Sequence, residues 1–215
     1  ADKGELDDYY RVASQAEAHL VLGETIEAME ALHKLASISR TDLAARAGTR
    51  RQLRLILDAQ KLNDSILDPL TPPEVIHYTG HSFGPGELTP AMEPDLTRAI
   101  AATFDRANLG VAFGSLAAGS DILIAEACLQ RGIELNLVFP FGLEEFKAIA
   151  VRSGGRDWPR RFDDVFARAS SVTFATDSDF VADDSLFTYC AELAMGKAIL
   201  RGRYVDAAVA QIAVW

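Results

Sequence analysis

Residues 75–141 constrain the fold more than any other stretch of this chain. Two short apolar runs, 75–78 and 110–113, each end in a glycine-rich turn. The second turn, GSLAAGSD, opens directly into an amphipathic segment of helix length, and a third apolar run follows at 135–139. Strand, glycine loop and helix start, in that order, make a place where backbone N–H groups can cradle an anion. The same alternation continues to the last residues. The pattern predicts strands at 75–79, 110–114, 135–139, 171–175 and 210–215. Helices are predicted near 94–107, 121–131, 143–152, 158–169 and 184–203. Strands separated by helix-length connections imply right-handed crossovers and a parallel sheet covered on both faces. The expected fold class is α/β, a Rossmann-like domain of about five strands.

A different rule governs residues 5–62, where apolar side chains recur at helical spacing. Tyr9, Val12, Ala13, Ala16, Leu20 and Leu22 give one stripe, stopped by Gly23. Ile26, Met29, Leu32, Leu35 and Ala36 give a second, and Leu43, Leu53, Ile56 and Leu57 a third, with Thr41 or Asp42 as its cap. Pro69, Pro72 and Pro73 forbid further helix, so the chain divides into a helical segment, 1–68, and the α/β domain, 74–215. A helical hairpin cannot bury its own apolar face; it needs a further repeat upstream, the third helix or the following domain, and the expected partner of residues 5–62 is a protein or neighbouring repeats.

Charge narrows the function classes. The 215 residues carry a formal net charge of −10. Neither part has the basic excess that nonspecific nucleic-acid binding requires. The densest basic cluster is Arg46, Arg50, Arg51 and Arg54, read as a solvated helix face or a contact to an acidic neighbour. No apolar run is long enough to span a bilayer, and no signal-peptide pattern opens the chain, so the expected location is cytoplasmic, with no membrane partner. Cys128 and Cys190 sit in apolar helical segments and are expected as buried free thiols. Because the last apolar run ends at Trp215 without a following loop, a domain of a longer protein is expected. The oligomeric state is not legible.

In such sheets ligands bind beyond the carboxyl ends of the strands. The candidate ligand-binding residues are Gly80, His81 and Ser82 after the first strand, then Gly114, Ser115, Gly119, Ser120 and Asp121 in the second loop. Pro140 and Phe141 follow the third strand, and Phe141 is a candidate for stacking on a base. Asp121 is read either as the helix cap or as an acceptor for a ribose hydroxyl. Glu126, on the same helix, faces either solvent or the cleft. His77 reads as a satisfied interior histidine. Asp177, Asp179, Asp183 and Asp184 form an acidic loop, and no metal site is expected from one such cluster. No G-x-S-x-G, H-E-x-x-H, C-x-x-C or G-x-x-x-x-G-K-[ST] motif is present. The nearest nucleophile arrangement is Ser115 or Ser120 with His81. For hydrolysis of a nucleotide glycosidic bond, the catalytic candidates are Glu126 and Asp121.

The run GSLAAGSDILIAEACLQRG followed by IELNLVFPF resembles the second strand–loop–helix–strand unit of the Smf/DprA–LOG (SLOG) superfamily. VIHYTGHSF is similar to that superfamily's first strand and turn. Closer still is the bacterial signalling module that follows tetratricopeptide repeats and often accompanies nucleotide cyclase domains. It shares GH after the first strand, G-S-D-I-L-x-A-E-A, the V-x-P-F strand end and EFK at 145–147. The segment YYRVASQAEAHLVLGETIEAMEALHKLAS resembles one tetratricopeptide repeat unit. The LOG enzymes' P-G-G-x-G-T loop is absent here. The resemblance implies a sensor of nucleotide-derived ligands more than a phosphoribohydrolase; a scaffold whose glycine loops are only turns is the third reading.

Overall fold

The computed structural model describes residues 3–38, 43–84, 86–155, 157–177 and 184–215, and the following statements concern these. Two compact units are present, Ala1–Pro72 with Arg203–Ala207, and Pro73–Gly202 with Ala208–Trp215.

The first unit holds α1 (Lys3–Leu22), α2 (Thr25–Ile38) and α3 (Leu43–Gln60), followed by a 3₁₀ segment, Asp64–Leu70. Tyr9, Val12, Ala16 and Leu20 of α1 pack with Ala28, Leu32 and Leu35 of α2, and with Leu53, Leu57, Leu67 and Leu70. Three of the expected core positions are instead exposed: Leu22, Ile26 and Met29. The buried face of α2 runs through Ala28, Leu32 and Leu35, at spacings of four and three, and this turns Ile26 and Met29 outward. The arginine cluster is not a solvated face. Arg46 is only 8% exposed and donates to the Pro69 carbonyl at 3.4 Å. Arg50 and Arg54 meet Asp206 at 2.9 and 3.1 Å, and Arg51 donates to the carbonyls of Arg203 and Tyr204. Thr41 and Asp42, the expected caps of α3, lie outside the described residues.

The second unit is an all-parallel sheet. Its strands are β1 (Glu74–Gly80), β2 (Leu109–Gly114), β3 (Glu134–Phe139), β4 (Ser171–Phe174) and β5 (Val209–Val214). They lie in the order β4-β3-β2-β1-β5, with every pair parallel. The connecting helices are α4 (Glu93–Phe104), α5 (Ser120–Gln130), α6 (Leu143–Phe146), α7 (Trp158–Phe166) and α8 (Ser185–Val205). β1 to β4 step in one direction, so right-handed crossovers must put α4, α5 and α7 on one face. There Ile76, Tyr78, Ala112, Leu135, Leu137 and Phe139 pack against Ile100, Phe104, Ile122 and Phe162. The crossover from β4 to β5 runs back across the sheet, which puts α8 on the opposite face. Its Cys190 and Ala194 pack on Val138. The result is an α/β fold of Rossmann-like kind. Where one helix was expected over 143–152, the chain makes α6, a π-turn at Lys147–Val151 and a 3₁₀ turn at Arg152–Gly154.

Candidate functional site

A cavity of about 330 Å³ opens at the carboxyl ends of β1 and β2. Strand β1 supplies His77, Tyr78, Thr79 and Gly80, and the turn after it supplies Ser82. The loop after β2 contributes Ser115 and Ala117, and Asp121 comes from the first turn of α5. Phe146, Ile149 and Ala150 of α6 and the π-turn form one wall; Phe187, Cys190, Ala191 and Ala194 of α8 form another.

The glycine loop takes its shape from packing. A side chain at Gly114 would collide with the Tyr78 ring, its Cβ falling 2.5 Å from the ring carbons. The Tyr78 hydroxyl donates to the Ser115 carbonyl at 2.7 Å, pinning the loop over the strand. Gly119 has φ +102°, a region that L-residues with side chains avoid, and it bridges antiparallel to Ser82. Gly114, Gly119 and Ser120 do not line the cavity, and their role is to form the turn.

Three N–H groups of the expected cradle are engaged within the chain. Ala117 N–H donates to Asp121 Oδ2 at 3.2 Å, Ala118 N–H to the Ala150 carbonyl at 2.9 Å, and Ser120 N–H to the His81 carbonyl at 3.4 Å. The anion that this loop holds is its own aspartate. Asp121 therefore does not cap α5 with its side chain; the capping position is Gly119, and the carboxylate reaches back to the loop. Asp121 is 7% exposed, and burial pushes its pKa up to about 7, against the opposing effect of the Ala117 and Gly80 N–H groups. Its Oδ1 and the hydroxyls of Ser115 and Ser120 are buried without a hydrogen-bond partner among the described residues.

Other expected site residues lie elsewhere. Phe141 is fully buried and meets Phe187 edge-on at 5.5 Å, so its ring is core and offers no face for stacking. Pro140 is also buried and does not line the cavity. His81 sits outside, with its ring 5.0 Å from Phe83 and Nε2 3.6 Å from Glu87. No serine–histidine pair is therefore assembled with Ser115. Glu126 faces neither open solvent nor the cleft. Both of its oxygens accept from Arg161, which also pairs with Glu93 at 2.7 Å, tying α4, α5 and α7 together. Asp179 and Asp183 lie outside the described residues, among which no cluster of metal-ligating side chains occurs.

Two residues read in the sequence as interior, His77 and Cys190, also line the cavity. His77, 2% exposed, has its pKa lowered by burial, and Gln211 Nε2 lies 3.3 Å from its Nδ1. With the neutral ring accepting there, the remaining proton sits on Nε2. Cys190 donates to the Val138 carbonyl at 3.2 Å, and burial pushes its thiol up to about 12, so it is no nucleophile at neutral pH. A polar residue inside an apolar strand run was the signal for His77. For α8 it was the helical stripe Phe187, Cys190, Ala191 and Ala194.

No family model matches the chain, and no curated protein matches it. Among the described residues no helix is long and apolar enough to cross a membrane.

Proposed function

We propose that residues 73–215 form a ligand-sensing domain of a signalling protein, taking a nucleotide-derived small molecule in the cavity at the carboxyl edge of the sheet. One observation carries this reading. Two residues that line an apolar-walled cavity, Ser115 and Asp121, each hold a buried oxygen with no hydrogen bond among the described residues. Such groups cost roughly 1–3 kcal/mol each when left unsatisfied, and a ligand that pairs them recovers that cost. The likeness of GSLAAGSDILIAEA and VIHYTGHSF to SLOG domains supports the nucleotide class. The helical unit is read as a tetratricopeptide-like contact module for a protein partner, and the exposed apolar Leu22, Ile26 and Met29 support this.

Asp121 favours a second reading, hydrolysis of an N-glycosidic bond. A carboxyl with a pKa of about 7 beside a cavity is poised to give a proton to a departing base. Glu126, committed to Arg161, has no part in that chemistry.

The test is thermal denaturation of the purified protein against nucleosides, mononucleotides, NAD, ADP-ribose and cyclic nucleotides. A ligand that binds only the native state raises the melting temperature, by mass action. The expected result is a saturable rise with at least one of these compounds. No rise with any of them overturns the proposal and leaves a scaffold. Chromatographic detection of released base separates the enzyme from the sensor.

A further inference from the structure

Building on the ligand-binding reading, we infer that the cavity takes the uncharged heterocyclic end of the ligand, which presents an N–H donor to Asp121 and Ser115, and leaves any phosphate outside.

Three observations carry this beyond the general reading. First, among the described residues lining the cavity none is Lys or Arg, and the one acid there is Asp121. Phosphate recognition relies on guanidinium, ammonium or free backbone N–H groups. Second, three of the loop's N–H groups, those of Ala117, Ala118 and Ser120, already donate inside the protein. A phosphate entering this loop would have to displace the Asp121 carboxylate or sit beside it. Third, the walls suit a flat ring. Phe146, Phe187 and Ile149 give apolar surface, and a volume of about 330 Å³ is near the small end of ligand cavities. Asp121 and Ser115, the lining residues whose Oδ1 and Oγ have no hydrogen bond among the described residues, then supply the polar edge. Oδ2 already accepts from the Ala117 N–H, so in the ionised form of Asp121 the free Oδ1 can only accept, and the matching ligand atom is a donor.

The experiment is titration calorimetry on the whole chain, with adenosine, cytidine, purine riboside, ribose 5-phosphate and inorganic phosphate as separate probes. The expected result is binding of an amino-bearing nucleoside. Purine riboside, which lacks the amino group, should bind at least tenfold more weakly. Ribose 5-phosphate and phosphate should neither bind nor compete. If ribose 5-phosphate binds and displaces the nucleotide that raised the melting temperature, the inference fails while the ligand-binding reading stands. If that screen and these probes all give nothing, both fall. Ala191→Leu narrows the cavity from α8 without touching its polar atoms, and it should weaken nucleoside binding at least tenfold. Unchanged binding in a folded Ala191→Leu protein places the nucleoside elsewhere and overturns the inference. Asp121→Asn adds an N–H donor, and it should weaken the amino-bearing probe relative to purine riboside; an unchanged ratio overturns the assignment of the donor to Asp121.

Discussion

Gly80 and Ser120 touch backbone to side chain. A Cβ built on Gly80 falls 2.3 Å from the Cβ of Ser120, with no flexible chain end to move aside. The carboxyl end of β1 and the start of α5 are therefore closer than any side chain at position 80 permits. Gly80→Ala should destabilise the α/β unit by about 1–3 kcal/mol, the cost of overpacking a rigid contact. Urea unfolding of the two proteins measures it, and an unchanged midpoint would show that α5 can retreat without cost.

The buried carboxyl of Asp121 makes stability depend on pH. Its folded pKa, about 7, lies above the ordinary value of 3.8, so the folded state holds a proton that the unfolded state has released. The contribution is full below the unfolded pKa and is lost as pH rises toward 7. The slope from this group approaches ~1.4 kcal/mol per pH unit within that window. Unfolding free energy should therefore fall between pH 5 and 6.5. Asp121→Asn should flatten the curve there, and equal slopes in the two proteins would contradict the assignment.

Glu126 and Arg161 are structural, so their variants should separate stability from binding. Arg161 is held by Glu126 and Glu93 and stacks over Trp158 at 4.4 Å. Arg161→Ala leaves two partly buried carboxylates facing each other and should cost roughly 2–4 kcal/mol. Glu126→Gln should lower stability by less and leave affinity for any cavity ligand within twofold. A tenfold affinity loss in Glu126→Gln would return that residue to the site.

The ends of α1 and α3 offer a matched pair. Each is closed by a residue of positive φ, Gly23 at +77° and Lys61 at +58°. In both, the next N–H reaches back five residues, Glu24 to the His19 carbonyl at 2.8 Å and Leu62 to that of Leu57 at 2.9 Å. Lysine pays a steric cost there that glycine does not. Lys61→Gly should stabilise by about 0.5–1 kcal/mol and Gly23→Ala should destabilise by about 1 kcal/mol. Thermal unfolding should show shifts of opposite sign.

Strand positions were legible because short, mainly apolar runs stand out between turn residues, as 75–79 and 135–139 do even though His77 and Asn136 interrupt them. Strand order was not, since nothing local records that β5 lies beside β1 and not beyond β4. The turn at 114–121 was found, but not that its Ala117 N–H donates to Asp121. Whether the N–H of Ala117 meets a ligand or Asp121 depends on a rotamer, which spacing does not encode. Phe141 was misassigned for a related reason. Proximity to a strand end is readable, but the ring's direction depends on Phe187, contributed from α8. The half of the cavity that α8 builds was invisible until the topology brought that helix across the sheet.

That topology also bears on how the protein is made. Val75 of β1 pairs with Val209 of β5, so one flank of a central strand waits for a segment synthesised much later. While a ribosome is still making α8, β1 to β4 can associate, but β1 keeps a bare row of N–H and C=O groups. A nascent chain in that condition is open to mispairing with its neighbours on a polysome, and its folding is completed by a long-range closure, not strand by strand as it emerges.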